Sequence, residues 1–527
     1  MSKTKDYYAE VNKDKNTKAK SIFGSIFGQK ALVILLLLLQ VLIYVAIVEK
    51  YYMPLSIISS VFSIFLIIFI VNRNYNPAFK IAWILVIVAI PVFGCLIFLI
   101  SRVQITRKFF NHFIIEKFEE TRPFLKQSDI TIDEIQQDNK YISNIATYVY
   151  KYAGYPIHSG TTTEYLSIGE LFFADLKQEL SRAEHFIFME FFIIDRGVMW
   201  KEILDILIDK AKNGVDVRLI YDGMGSQIIL PYNYDKKLEK LGIKCKIFNP
   251  FVPMLSSIQN NRDHRKVIVI DGHTAYTGGV NLADEYINRK VRFGHWKDTA
   301  IKLHGEAVVN FTMMFFNMWN YTNKSAENNY LDYFPHKYHE ENFQSDGFVM
   351  PYGDIPIDDE HVGKNVYLDI ISKAKDYVYI MTPYLILDNE TITAMEIASK
   401  SGVKVKLIVP GIPDKWYVYV IAQSFYKELI DMGVEVYEYS KGFVHAKNFV
   451  SDDIVATVGT INLDFRSLYL HFEDAVFMYK TKSVMDVKLD FKQTLKDCTK
   501  IDYNYISKIP IARKLSGALL RMLSPML

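Results

Sequence analysis

Apolar residues along this chain fall first into three long runs and then into two series of short ones. Residues 31–48, ALVILLLLLQVLIYVAIV, carry no charge and, at about 1.5 Å rise per residue, are long enough for a helix to cross a hydrocarbon layer of about 30 Å. Residues 55–71 and 81–100 have the same character, the third with Pro91 and Gly94 inside it, both tolerable in a helix surrounded by lipid. The pattern predicts three transmembrane helices in a membrane domain over residues 31–110, behind a basic tail over 1–30. A cleaved signal peptide fits poorly, because the basic region is long and no small-x-small pattern follows Val48.

After these runs the period becomes that of alternating helices and strands, and it does so twice. DLKQELSRAEHFIFMEFFII reads as a helix followed by a β-rich run, and YLDIISKAKDYVYIMTPYLIL repeats it. KNGVDVRLIYDG is answered by KSGVKVKLIVPG, with Gly214 and Gly402 where a helix end meets the next strand, and LEKLGIKCKIF by LIDMGVEVYEY. An internal repeat of this kind predicts two tandem α/β domains. Each is expected to be a mixed, mainly parallel sheet, with a pseudo-two-fold relation and one shared site. The first should occupy 111–335 and the second 336–527, with Asn323–Asp346, polar and without period, as the candidate linker. The closing KIPIARKLSGALLRMLSPML spaces cations and leucines as in a helix that lies among lipid headgroups or packs on the domain.

Charge narrows the partners. Lys and Arg total 61 against 59 Asp and Glu, a net +2 over 527 residues, which argues against a surface devoted to nucleic acid. Cys95, Cys245 and Cys498 have no C-x-x-C spacing, so neither a disulfide framework nor a zinc site is expected from them. Sidedness is contradictory: the N-terminal lysines favour a cytoplasmic tail, while Arg102, Arg107 and Lys108 pull the region after the third span to the same side, which three crossings do not allow.

The two halves deliver the same chemistry at the same intervals: His264, Lys266, Asp271, Gly278 and Asn281, then His445, Lys447, Asp452, Gly459 and Asn462. One H-x-K-x-x-x-x-D alone is more often a strand histidine beside a solvated lysine, but two copies at one stage of a repeat are not. His264, Lys266, Asp271, His445, Lys447 and Asp452 are thus the nominated catalytic set. In HRKVIVID and HAKNFVSD the His and Lys stand two apart and share a face of a strand. Two imidazoles and two ammonium groups around one cleft suit a phosphodiester: one imidazole attacks phosphorus, the other protonates the departing oxygen, and the lysines with Asn281 and Asn462 stabilise the charge. Asp271 and Asp452 end their strands and are expected to fix a turn rather than touch substrate. Asp298 in GHWKDTA and Glu473 in LHFEDAV, each on the following strand, are the candidates to orient the imidazoles. Lys is a poor metal ligand and no third histidine or carboxylate is evident at helical or strand spacing, so no metal or other cofactor is expected. No G-x-S-x-G supports a serine nucleophile.

At these residues the chain resembles the phospholipase D superfamily, whose signature is the paired H-x-K-x-x-x-x-D with G-x-x-N. Within it the chain is similar to the bacterial cardiolipin synthases, through GVDVRLIYDGMGS, DHRKVIVIDGHTAYTGGVNLADEY, TPYLI, GFVHAKNFVSDD and LLRMLSPML, from about Asn76 onward. The resemblance implies a multi-pass protein of the cell membrane with its catalytic domains facing the cytoplasm. Its reaction would pass a phosphatidyl group from one phosphatidylglycerol through His264 or His445 to a second, giving cardiolipin and glycerol. The chain departs from the family pattern at Asp263, where Asn is frequent, at His471, where the family has L-N-F-E, and in the extra first span. Other acceptors, such as serine or water, fit the same motif. A membrane-tethered nuclease would call for a basic, aromatic-lined groove, and a non-enzymatic lipid-binding scaffold for a missing His or Lys.

Overall fold

The computed structural model describes residues 58–102, 105–227, 229–250, 257–322, 329–340, 342–358 and 360–526. They divide into two compact units, the helices up to residue 102 and the remainder. The basic tail and the predicted span over 31–48 lie outside the described residues, as does the start of the span over 55–71.

In the first unit residues 58–71 are helical, and α1 (Pro77–Ala89) and α2 (Pro91–Arg102) follow. The Asn76 side chain caps α1 by accepting from the Ala78 N–H at 2.9 Å. The single helix predicted over 81–100 is therefore two. Pro91 has no N–H to continue the ladder past Ile90, and α2 doubles back over α1 so closely that a Cβ on Gly94 would stand 2.6 Å from the Val86 carbonyl oxygen. Leu66, Ile70, Ile87, Cys95 and Phe98 form the small core that joins the three segments, while Ile58, Val61, Phe65, Ile68 and Ile81 are exposed. Among the described residues no helix is long and apolar enough to cross a membrane.

The second unit turns the repeat into two sheets. The first runs β1 (Thr161–Leu166), β9 (Ala300–Gly305), β7 (Thr274–Gly278), β6 (Lys266–Ile270), β2 (Phe186–Phe191), β3 (Asp216–Asp222), β4 (Lys244–Phe248). The second runs β10 (Phe348–Asp354), β17 (His471–Tyr479), β16 (Val455–Gly459), β15 (Asn448–Ser451), β11 (Tyr377–Met381), β12 (Lys404–Pro410), β13 (Glu435–Tyr439), β18 (Cys498–Lys500). FIFMEF of β2 is buried at every position, as a strand covered on both faces must be. Both sheets are mixed, but the expectation that they are mainly parallel is wrong. Along the strand orders, β2–β3 and β3–β4 pair in parallel in the first sheet and β11–β12 and β12–β13 in the second, while the other neighbours in both orders pair antiparallel. The helical crossovers stop after those strands, and the motif strands β6 and β15 return by tight hairpins to β7 and β16, which forces antiparallel pairing.

α3 (Val308–Tyr321), VVNFTMMFFNMWNY, has no charged residue and is buried from Val308 to Asn320, its few polar side chains hydrogen-bonded inside the domain. Asn310 of α3 donates to the carbonyls of Pro156 and Pro351 at 2.9 and 2.8 Å, tying segments on either side of the repeat. The polar candidate linker is itself packed where it is described: the Tyr333 ring lies 5.1 Å from Phe186 and 4.8 Å from Phe316, and its hydroxyl accepts from Arg218 at 2.9 Å. The C-terminal helix packs on the domain through one face. α5 (Ile511–Leu523) lies on α4 (Trp416–Asp431), with Arg521 paired to Glu428 at 2.6 Å and 3.9 Å above the Phe425 ring. Its other face leaves Ile511, Leu515 and Leu519 exposed.

Two short strands make the contacts that decide the site. β5 (Arg262–Asp263), just before the first motif histidine, runs parallel to the start of β17, with Arg262 opposite His471 and Asp263 opposite Phe472. β14 (Gly442–Val444), just before the second, runs parallel to β8 (His295–Lys297), with Phe443 opposite Trp296 and Val444 opposite Lys297. The halves thus exchange the same contact in both directions, as a two-fold interface does.

Candidate active site

These crossed strands bring each histidine beside a carboxylate of the opposite half. The His264 N–H donates to the Phe472 carbonyl at 2.9 Å, so the next residue of β17, Glu473, reaches the imidazole, with Nδ1 2.9 Å from Oε2. The His445 N–H donates to the Lys297 carbonyl at 2.7 Å, so the residue after β8, Asp298, lies with Oδ2 2.7 Å from His445 Nδ1. Asp298 stands in the link between β8 and β9, not on a strand as expected. In both halves the motif lysine folds back on its own histidine: Lys266 Nζ donates to the His264 carbonyl at 2.5 Å, and Lys447 Nζ to the His445 carbonyl. The approach around Asp298 is tight, since a Cβ on Gly279 would come within 2.0 Å of Oδ1.

Burial dominates the electrostatics. Both carboxylates are fully buried, which opposes their charge, yet His264 and His471 hold Glu473 well below the usual range, and His445 and Lys447 shift Asp298 downward. Burial, reinforced by the adjacent lysine, pushes His264 down to about 3 and His445 to about 4. Burial likewise pushes Lys266 to about 8 and Lys447 to about 7. Lys266 of the first motif lowers both His445 and Lys447 of the second, so the charges of the two motifs act on each other.

The remaining nominated residues divide differently from the sequence expectation. Asn281 accepts from the Ile193 N–H at 3.0 Å and donates to the Tyr286 hydroxyl at 2.8 Å, and that ring lies 5.5 Å from His445. Asn462 donates to Ser467 Oγ at 2.9 Å, again five residues on. Asn281 thus ties its loop to the segment at Ile193, and Asn462 bonds within its own loop.

Asp271 and Asp452 stand at turns, as their strand-end positions predict. Each stands in the left-handed region, at φ 48° and 54°, about 16 Å of strand from its lysine. The Asp271 carboxylate accepts the N–H groups of Glu184, His185 and Phe186, each at 2.8 Å. Asp452 accepts those of Lys375, Asp376 and Tyr377 at 2.7, 2.9 and 2.9 Å. Asp271→Ala should strand three donors and lower stability by about 2–4 kcal/mol, seen as a fall in the thermal midpoint in detergent, with turnover per folded molecule kept. A selective loss of turnover at unchanged midpoint would return Asp271 to the chemistry.

Sequence reasoning missed the residues that line the imidazoles. Thr460 Oγ1 donates to Glu473 at 2.5 Å, Trp296 Nε1 donates to Asp298 at 3.3 Å, and the Trp296 ring lies 5.4 Å from His445. Asp263 faces away from its neighbour His264 and, with Glu190, neutralises the fully buried Arg265, at 3.2 and 2.6 Å. The expectation that no further histidine completes a ligand set also fails. His264, His471 and Glu473 each offer a ligand atom within 4.8 Å of the others, and the available signal was H-x-E, which places His471 and Glu473 on one face of β17.

The family described as "Cardiolipin synthase, PLD-like domain" matches residues 176–315 and 367–495, and "Phospholipase D-nuclease N-terminal" matches 61–102. An uncharacterised protein of Streptococcus mutans serotype c is 44% identical over 88% of this chain and 99% of its own. A cardiolipin synthase of Alkalihalophilus pseudofirmus is 33% identical over 90% of this chain and 94% of its own. Among solved structures, phosphatidylserine synthase of Haemophilus influenzae aligns with a TM-score of 0.53 at 14% identity, over 73% of this chain and all of that one, a likeness of fold. With an intact histidine-lysine motif in each half, a family match over both halves and relatives aligned across nine-tenths of its length, the chain belongs to the cardiolipin synthase family of the phospholipase D superfamily.

Proposed function

We infer that this chain is a phosphatidyltransferase that makes cardiolipin and glycerol from two molecules of phosphatidylglycerol through a phosphohistidine. The observation that carries the reading is the pair of buried imidazoles, each with Nδ1 held by a carboxylate of the opposite half and each with a motif lysine folded onto its backbone carbonyl. In the first step one imidazole attacks phosphorus through Nε2, the bond from phosphorus to the glycerol oxygen breaks, and the other imidazole, protonated, gives its proton to that oxygen. In the second step the now neutral imidazole takes the proton of a glycerol hydroxyl on a second phosphatidylglycerol. That oxygen attacks phosphorus, the phosphorus–nitrogen bond breaks, and both histidines return to their starting states. The low proton affinity of the two buried histidines fits this order: a phosphodiester anion beside them raises it, so the acid is charged when there is a substrate to protonate.

The exposed apolar residues of the 58–102 helices and the open face of α5 support a membrane setting. The doubling back at Ile90 and Pro91, with the cations at 102, 107 and 108 after it, supports a cytoplasmic placement of the catalytic unit, because a hairpin returns the chain to the side it came from.

The test is reconstitution of the purified protein with phosphatidylglycerol as the only lipid and mass spectrometry of the products. Cardiolipin and glycerol in equal amounts, absent with His264→Ala and with His445→Ala, are expected. Phosphatidic acid alone would make it a hydrolase or a transferase for another acceptor, and no turnover would overturn the reading.

A further inference from the structure

We propose that His264, His471 and Glu473 form a zinc-binding site that reversibly switches off the first-half histidine. The proposal rests on the reading of His264 as a reacting group. The three ligand atoms lie within 4.8 Å of one another. His264 Nδ1 is 2.9 Å from Glu473 Oε2, and His471 Nδ1 is 3.6 Å from Glu473 Oε1. Ligands about 2.1 Å from a tetrahedral ion stand about 3.4 Å apart, so small side-chain movements complete the set.

The second observation is His471 itself. Its side chain is 11% exposed, and among the described residues its ring nitrogens make no close hydrogen bond, Nδ1 having only the long 3.6 Å approach to Glu473 Oε1, a poorly satisfied state for a buried polar group that a bound cation would relieve. Its ring centroid is 5.6 Å from that of His264.

The third is the break in symmetry. Phe472 and Lys297 give the carbonyls that accept from His264 and His445, and Glu473 and Asp298 follow them, so His471 is the counterpart of Trp296. Trp296 cannot ligate a metal and already donates to Asp298 at 3.3 Å. Chemistry common to both halves therefore does not require a histidine at this position.

Two imidazoles and one carboxylate suit zinc and leave a fourth position open, whereas magnesium and calcium demand oxygen ligands. The Lys266 ammonium, whose charge acts on His264, further disfavours weakly held cations. A zinc ion there takes a lone pair of His264 and the carboxylate that orients it, so both transfer steps stop until the metal leaves.

The experiment is zinc titration of the intact protein, stripped by chelator and dialysed, with bound metal measured by calorimetry and cardiolipin formation followed in parallel. One zinc per chain is expected, with product formation lost as the site fills and restored by chelator, and no such effect from magnesium. His471→Asn and His471→Trp, the latter copying the other half, should weaken zinc by about 100-fold or more, beyond the 10–100-fold typical of losing a partner of a ligand, and escape inhibition at concentrations that silence the unmodified protein. Absence of stoichiometric zinc, or inhibition unchanged in both variants, overturns the proposal. Binding that depends on His471 in a protein that never makes cardiolipin would uphold the metal site and sink the synthase reading instead. Cobalt bound in place of zinc, with visible absorption of a tetrahedral centre, gives a readout independent of turnover and of the variants.

Discussion

Glu473→Gln is expected to lower kcat by about 10,000-fold with little change in the thermal midpoint. Glutamine keeps the volume and can still accept from Thr460 Oγ1, but it no longer offers an anion to His264 Nδ1 at 2.9 Å. An amide there tolerates the wrong imidazole tautomer and leaves the charged ring of the transition state without a counter-ion, the loss known for the orienting carboxylate of a serine protease triad. Asp298→Asn should do the same to His445 through the 2.7 Å contact. Parallel measurements of kcat and melting on both variants decide the matter. Turnover within ten-fold of the parent for either would mean that its carboxylate does not orient a reacting imidazole.

His264→Ala and His445→Ala should each reduce turnover by about a million-fold, and the double variant should be no worse than either alone. Residues that act as one unit lose their shared effect once, so the penalties do not multiply. The transfer needs a nucleophile and an acid in the same step, and the proposed reaction takes one from each motif, whose charges act on each other through Lys266, His445 and Lys447. Quenched single-turnover reactions with radiolabelled phosphatidylglycerol read this directly, because only a variant that keeps its nucleophile can hold label on the protein. Multiplying losses would point to two separate sites.

The motif residues and the α/β repeat were legible because both are local. His264 and Lys266 stand two apart on one strand, and the repeated helix–strand script survives in the residue pattern of each half. The partner of each histidine was not legible. Glu473 meets His264 across 209 positions of chain, and only the pairing of the two-residue strand β5 with β17 brings them together. No periodicity marks a strand of two residues. The mainly parallel expectation failed because helix-to-strand alternation predicts crossovers but says nothing of the hairpins at β6–β7 and β15–β16. The third apolar run failed in a different way: its hydrophobicity is continuous through Ile90, and only the missing N–H of Pro91 and the close approach at Gly94 turn it back. Asp271 and Asp452 show the opposite case, since a position ending a strand correctly suggested a turn although the motif lists them beside the reacting groups.

The crossing of β5 with β17 and of β14 with β8 also bears on ancestry. A protein with one copy of the repeat would have a histidine with nothing to orient it, and would work only as a symmetric pair of identical chains. In such a pair the residue beside one histidine must also stand beside the other. Fusion into a single polypeptide lifts that identity, and Trp296 against His445 with His471 against His264 is a divergence that no homodimer can acquire.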